Sequence, residues 1–350
     1  MKLSAMFRNP NAVLISRTPA SDPATDAEFV TAAQQAMRAL EVELEDETVV
    51  LHPNSTVGEL HDGWDHGITT HPQFVKGLVQ YLHAHGAERA RVYIVEDPRN
   101  NNTDDVRHWR NTGYLPVAEE TGAILHSHAS FQTTRREVPN WFVHPFRNVA
   151  ALAVAPNTVL LNVPKLKTHY LAITTLSIKN LMGLDNGYDR HYCGQAWVQM
   201  GPGYSDNPRP RTDWLSAADH ERWQELLAQR LIDQARAVTP HLNVIDGVVG
   251  REGTGFNQGT NFSLGLAIAG VNMAAVDTVG SYLMGFDPAK LVYLRMAAQA
   301  NLGPTDLNNI QVYLAEGGRV APCHDLAALR APKPFSIIRG IPCESDDYAR

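Results

Sequence analysis

The order of apolar and polar positions predicts alternating strands and helices in the first third of the chain. Residues 47–54, "ETVVLHPN", form a short apolar run that stops at a Pro-Asn pair, which is typical of a buried strand. In residues 72–86, "PQFVKGLVQYLHAHG", apolar side chains recur at helical spacing before a glycine cap. Residues 89–97, "RARVYIVED", are again strand-like. This β-α-β order favours a right-handed crossover between parallel strands.

The alternation continues to residue 317 and predicts an α/β protein. A mostly parallel sheet with helices on both faces is expected, and two lobes around a central cleft are one arrangement that the pattern allows. We expect an N-terminal α/β lobe in 1–150, a C-terminal α/β lobe in 151–320 and a tail in 321–350. Residues 186–219 are rich in turn-forming and aromatic residues without a clear period, so they predict a lid-like loop. The further strands are expected at 159–165, 241–247, 262–270 and 308–317, and the further helices at 220–238 and 272–285.

Composition and charge narrow the class of protein. The 350 residues carry a formal net charge of −7, which argues against non-specific binding of nucleic acid or of an anionic membrane. The three cysteines are widely spaced and give neither a disulfide framework nor a CxxC metal pattern. The first residues lack the apolar core of a signal peptide, and no run approaches eighteen apolar residues. A cytoplasmic location is therefore expected.

Positive side chains gather in "VPKLKTHYLAITTLSIKNLMG", residues 163–183. If the segment begins as an extended strand, Lys165, Lys167 and His169 share one face, and Lys179 can return to the same region on a following helix. Like charges on one face repel unless an anion or carboxylates lie between them. Two interpretations remain open: the lysines pair with acids of the chain, or they hold an anionic ligand. The candidate internal partners are Asp246, Glu252 and Asp277.

Polar residues at the ends of other expected strands belong to the same candidate site. Asn54, Lys165 and Asp246 each follow an apolar strand, and chemistry in such sheets collects at the carboxyl ends of strands. The Gly-rich run "GREGTGFNQG" lacks the GxGxxG spacing that leads into a helix, so no nucleotide motif is identified.

Histidines recur in "HDGWDHGITTHP", residues 61–72. His61, Asp62 and His66 offer two imidazoles and a carboxylate, a set that suits Zn or Fe(II). Their spacing does not place them on one helical face, so they would have to meet through a turn. The alternative is a solvated loop whose histidines cap turns.

Several motifs together resemble the domain of unknown function 362 family: "HPN", "NVPKLKTH", "TLSIKNLMG", "DGVVGREGTGFNQG" and "AIAGVNMAAVDTVGSYLMGFDP". The resemblance spans residues 48–303 and implies an α/β fold. Many members carry a cysteine-rich ferredoxin-like segment that this chain lacks, so no iron–sulfur cluster is inherited. By position, the resemblance carries over Asn54, Lys165, Lys167, His169, Lys179, Asn180, Asp246, Glu252 and Asp277.

The leading hypothesis is an enzyme that acts on a small anionic metabolite, a carboxylate or a phosphate. Lys165, Lys167 and Lys179 would bind the anion, and His169 would carry the proton. Asn54 and Asn180 would bind the substrate together with the three acids. Isomerase or lyase chemistry is favoured, with assistance from Zn or Fe left open. The alternatives are a metal-dependent oxidoreductase and a non-catalytic small-molecule or cofactor-binding protein. No nucleic-acid or membrane partner is expected, and a homo-oligomer is compatible with the sequence.

Overall fold

A computed structural model describes residues 1–55, 67–87, 91–96, 105–127, 132–185, 192–201, 216–253, 259–337 and 345–349. Its centre is a mixed, mostly parallel sheet of eleven strands with a separate two-stranded hairpin. The sheet strands are β1 (Ala12–Arg17), β2 (Thr48–Pro53), β3 (Val92–Glu96), β4 (Ile124–Ser127), β7 (Thr158–Val163), β8 (Lys165–His169), β9 (Ile173–Thr175), β10 (Leu242–Arg251), β11 (Asn261–Gly270), β12 (Gln311–Glu316) and β13 (Arg319–Pro322), and the hairpin is β5 (Thr133–Glu137) with β6 (Phe146–Ala150).

Helices cover both faces of the sheet, as the sequence predicts. Side chains along each strand alternate between two buried clusters, because successive residues of a strand point to opposite faces. One cluster contains side chains of α1 (Asp26–Leu40), α2 (Pro72–Ala84), α3 (Asp105–Asn111) and α4 (Tyr114–Thr121). The other contains side chains of α5 (Ser177–Asn180), α6 (Tyr192–Gln199), α7 (Ala217–Ala237), α8 (Met273–Leu283) and α9 (Val292–Gln299).

Strand order brings distant parts of the chain together. The path is β13-β12-β1-β11-β10-β7-β2-β3-β4, with β8 beside β10 and β9 beside β8. β11 runs antiparallel to both β1 and β10, which the βαβ pattern alone did not predict. Strands of 1–150 and 151–320 are interleaved in this sheet, so the boundary at residue 150 does not coincide with a break in it. The tail also reaches the core, where Phe335 and Ile337 are buried.

The expected lid-like loop contains a helix. Residues 186–191 and 202–215 lie outside the described residues, and α6 lies between them. Trp197 of α6 packs on Trp223 of α7 with ring centroids 4.7 Å apart. The expectation of an irregular segment is wrong for α6, because two turns of helix are too short to show a clear period. The lid function itself stays a prediction.

β10 has two successive partners on one side, first β7 and then β8, and the candidate site lies where the partner changes. β7 pairs with the start of β10, at Leu242 and Asn243. After Pro164, the chain continues as β8, which pairs with β10 at Asp246 and Arg251. Proline cannot donate a ladder hydrogen bond, and its carbonyl instead accepts from the Asp246 amide at 2.8 Å. The break therefore delivers the lysine-bearing segment to the carboxyl edge of the parallel strands.

Candidate functional site

A fully buried ion pair joins β8 to β10. Lys165 and Asp246 lie opposite each other in the parallel register, and Lys165 Nζ is 2.9 Å from Asp246 Oδ2. The same oxygen accepts a hydrogen bond from the His71 amide at 2.9 Å, and Oδ1 accepts from the Val248 amide at 3.2 Å. Because these groups are buried and hydrogen-bonded to one another, the first interpretation, pairing with an internal acid, holds for Lys165.

The ion pair also fixes the start of α2. His71 is the N-cap of this helix, and its Nδ1 accepts from the Gln73 amide at 3.2 Å. The imidazole stacks on Phe29 of α1 with ring centroids 3.7 Å apart. Asp246 thus links β10, β8 and the two helices on one face of the sheet.

Three polar side chains form a row on the opposite face. His52 of β2 lies beside Asn162 of β7, and Asn162 lies beside Asn243 of β10. All three are fully buried. Buried polar groups need hydrogen-bond partners: Asn162 bonds to Asn243, and the other partners of the row lie on α5, β3 and β11.

Lys167 lies at one end of a connected series of side-chain amides. Its Nζ donates to Asn54 Oδ1 at 2.8 Å and to the Ile68 carbonyl at 2.7 Å. An ammonium group can only donate, so the oxygen of Asn54 must face the lysine. The Asn54 nitrogen then points away and donates to Asn180 Oδ1 at 3.1 Å.

The same direction is transmitted to β10. Asn180 Nδ2 donates to Asn162 Oδ1 at 2.8 Å and to the His52 carbonyl at 3.1 Å. Asn162 Nδ2 donates to Asn243 Oδ1 at 3.0 Å, and Asn243 Nδ2 donates to the Gly270 carbonyl at 3.3 Å. We call Asn54, Asn180, Asn162 and Asn243 the amide series. Each amide donates away from Lys167, so the whole series has one polarity.

Asp277 supports the site from α8. Its carboxylate accepts the amides of Ser177 at 2.6 Å and Ile178 at 3.0 Å, so it caps α5 from a distant helix. The expectation that Asp277 meets a lysine is wrong, because backbone amides in the first turn of α5, which have no acceptor within that helix, satisfy the carboxylate instead. Burial raises the pKa of Asp277 to about 7. α5 carries Lys179 and Asn180, so by capping this helix Asp277 positions these two residues of the candidate site.

His169 closes the turn between β8 and β9. Its Nδ1 accepts the amides of Leu171 at 3.1 Å and Ala172 at 3.2 Å. Because Nδ1 accepts in this arrangement, the proton of the neutral ring lies on Nε2. The ring stacks against Tyr170 with centroids 4.5 Å apart.

Of the remaining residues expected in the site, the structure describes Lys179 and Glu252. Lys179 is half-buried on α5. Glu252 follows β10, and its carboxylate accepts the Ser336 amide at 2.8 Å, which attaches the C-terminal segment to the sheet edge. The candidate metal ligands His61, Asp62 and His66 lie outside the described residues. Within the described ranges, no group of three or more His, Cys, Asp or Glu side chains is arranged to hold a metal ion.

Sequence reasoning missed Asn162, Asn243 and His71 as parts of the site. A pattern that could have identified the two asparagines is present, since each interrupts an apolar strand in "VLLNV" and "HLNVI". A lone amide inside a buried strand requires partners on neighbouring elements. Which partners it meets depends on strand order, which the chain does not reveal locally.

The fold and the site define an α/β protein with a buried polar centre at the carboxyl ends of its parallel strands. Residues 49–282 match the family described as Domain of unknown function (DUF362), and the chain belongs to this family. The matched range includes most of β2 and of α8 and all of β7, β8, β10 and α5, and every residue of the amide series lies within it.

Known proteins show more distant likenesses. The thylakoid-associated protein sll1697 of Synechocystis sp. is 27% identical over 256 residues, which cover 73% of this chain and 68% of that protein. A solved Thermotoga maritima structure aligns with a TM-score of 0.45 at 11% identity, covering 81% of this chain and 61% of that one. The lactate racemase apoprotein of Thermoanaerobacterium thermosaccharolyticum aligns with a TM-score of 0.37 at 14% identity, covering 76% and 56%. The chain thus spans less than two thirds of either solved structure.

None of the helices in the described part of the chain is both long enough and apolar enough to cross a bilayer.

Replacing Lys165 tests whether the buried ion pair holds the site together. Lys165→Met leaves the Asp246 carboxylate buried without its ammonium, so we expect the free energy of unfolding to fall by about 3 to 5 kcal/mol. Lys76→Met is the control, because Lys76 pairs with the exposed Glu120 and its loss should cost less than about 1 kcal/mol. Denaturant unfolding measures both variants. Equal losses would show that the buried pair is not a structural link.

Asp277 predicts a pH dependence of stability. Its pKa is about 7 in the folded protein against an ordinary 3.8, so the folded state binds this proton more tightly. The stabilisation is present at low pH and is lost as the pH rises through about 7. Between about pH 5 and pH 8, the free energy of unfolding of the parent should fall by about 2 to 3 kcal/mol more than that of Asp277→Asn. Parallel profiles for the two proteins would contradict the assignment.

Proposed function

We propose that the protein is an enzyme that binds a small carboxylate or phosphate and transfers a proton on it, in an isomerase or lyase reaction. Lys167 and Lys179 would hold the anion, and His169 would carry the proton. Lys165 would act indirectly, by fixing Asp246 and the start of α2. Stabilising an anion while a proton moves requires a fixed positive charge and a proton carrier, and these side chains can supply both.

The observation that carries the proposal is the way in which Lys167 is held. Its hydrogen bonds to Asn54 and Ile68 fix the ammonium at the carboxyl edge of the sheet. Ligands of α/β sheets bind at this edge. A preorganised charge stabilises a developing anion without having to reorient during the reaction. A rigid lysine at this place therefore favours an anionic substrate.

His169 fits the role of proton carrier through its tautomer. The two amides on Nδ1 place the ring proton on Nε2, so the neutral ring can donate from that nitrogen. Histidine changes charge near neutral pH, which suits reversible proton transfer. Lys179 lies on α5 beside Asn180 and would add a second positive charge. Its position would be fixed by Asp277, which caps the start of this helix.

Binding of anions is the first experiment. Thermal unfolding would be followed with inorganic phosphate, malonate and succinate as separate probes. A probe at 100 times its dissociation constant should stabilise the parent by about 2.7 kcal/mol. Lys167→Gln should lose most of that stabilisation, because it removes the positive charge. Lys333→Gln, at an exposed position, is the control and should keep it.

The outcomes of this experiment separate the hypotheses. If Lys167→Gln is stabilised as much as the parent, the anion does not bind at this lysine and the proposal fails. Proton exchange separates an enzyme from a binding protein. Small carboxylic acids and phosphate esters would be incubated with the protein in D2O and followed by proton NMR. An enzyme should exchange a carbon-bound proton of its substrate and lose this exchange in His169→Gln, whereas a binding protein should show none.

A further inference from the structure

The side chain of His52 lies between two backbone carbonyl groups. The residue is fully buried on β2. Its Nδ1 is 2.8 Å from the Val95 carbonyl oxygen on β3, and its Nε2 is 2.9 Å from the Asn180 carbonyl oxygen on α5. Both ring nitrogens therefore face oxygens at hydrogen-bond distance.

The protonation state follows from what these partners can do. A carbonyl oxygen only accepts hydrogen bonds, and a neutral imidazole has a single N–H to donate. Either neutral tautomer would aim a nitrogen lone pair at an oxygen less than 3 Å away. The imidazolium form has two N–H groups and satisfies both carbonyls.

A carboxylate accompanies this ring. Glu96 Oε2 is 3.7 Å from His52 Nδ1, and the Glu96 side chain is 7% exposed. Gly183, in the turn after α5, packs on both groups, since a Cβ there would lie 2.6 Å from His52 Cε1 and 2.7 Å from Glu96 Oε1. A glycine at this position lets the two side chains lie close together beneath the turn.

Opposing effects act on the charge of His52. Burial lowers its pKa from the ordinary 6.5, and the hydrogen bonds to the Val95 and Asn180 carbonyls raise it. Burial acting alone would favour the neutral ring. The neutral ring, however, cannot avoid the unfavourable contact with one carbonyl, and the carboxylate of Glu96 favours the cation. Burial therefore predicts a neutral His52 ring, whereas the two carbonyl contacts predict a protonated one, and an experiment can distinguish these two states.

We propose that His52 is an imidazolium ion in the folded protein and acts as a positioning residue for Asn180. The two residues form a reciprocal pair, because the ring donates to the Asn180 carbonyl while Asn180 Nδ2 donates to the His52 carbonyl. The pair holds α5 against β2 and sets the amide series in place. Only the link to substrate binding rests on the proposed function.

The surroundings of the ring contain few other charges within the described structure. β3 contributes Glu96, the neighbouring strand β7 contributes the neutral Asn162, and the turn after α5 contributes Gly183. Lys167 reaches this region through Asn54 and Asn180, whose side chains are neutral. Glu96 is thus the acid on which the charge of His52 depends.

The direct test is nitrogen NMR of the histidine rings in the intact protein at pH 7.5, assigned through backbone correlations. For His52, both ring nitrogens should show shifts of protonated nitrogen. His108 is an internal reference, because burial lowers its pKa to about 4 and its ring should be neutral, with one protonated nitrogen. One unprotonated nitrogen on His52 would overturn the inference.

Variants examine the positioning role. Glu96→Gln should let the His52 ring lose its proton at a lower pH than in the parent. His52→Lys keeps a cation with several donors and should retain the phosphate-induced thermal shift, whereas His52→Gln should reduce it. An unchanged shift in His52→Gln would contradict the positioning role. The ring spectrum does not depend on activity, so a neutral ring would leave the proposed function standing, and failure of the anion probes would leave the ring result intact.

Discussion

An ammonium group can only donate hydrogen bonds, and this constraint gives the buried centre of the protein its order. Lys167 requires an oxygen from Asn54, and each following amide as far as Asn243 donates in the direction that this choice demands. The carbonyls of His52, Ser177 and Gly270 accept from Asn180, Asn162 and Asn243, so backbone acceptors hold these three amides in the same direction that the lysine requires of Asn54. Since β2, β7, β8, β10 and α5 all contribute to the series, the orientation of one lysine is coupled to the packing of five elements.

Much of the fold could be predicted from the sequence, because apolar periodicity reports burial and burial follows from local pattern. The segments 72–86 and 220–238 are helices, and the βαβ alternation correctly indicated a mostly parallel sheet with helices on both faces. Sheet order could not be predicted, because it depends on contacts between residues far apart in the chain. β1 lies between β11 and β12, and nothing within Ala12–Arg17 indicates partners more than 240 residues away.

The sequence indicated which residues to examine as a candidate site better than it indicated their hydrogen-bond and ion-pair partners. The sequence analysis expected Asn54, Lys165 and Asp246 each to follow a strand, and in the structure Asn54 follows β2, whereas Lys165 begins β8 and Asp246 lies inside β10. The partner of Lys165 was among three candidate acids and proved to be the one in register on β10. Asp277 was assigned to a lysine, yet it caps α5, because a backbone amide at a helix start leaves no trace in the sequence. His52 was given no role, although its ring lies at hydrogen-bond distance from β3 and α5.

Neutron diffraction from a deuterium-exchanged crystal would test the central claim most directly, because it locates the deuterons on amides and ammonium groups. The account predicts a fully charged Lys167 with one deuteron directed at Asn54 Oδ1. It also predicts deuterons on Asn54, Asn180 and Asn162 that point successively away from the lysine. An Asn54 nitrogen facing Lys167, or a neutral lysine amine, would contradict the claim that this cation orders the buried centre.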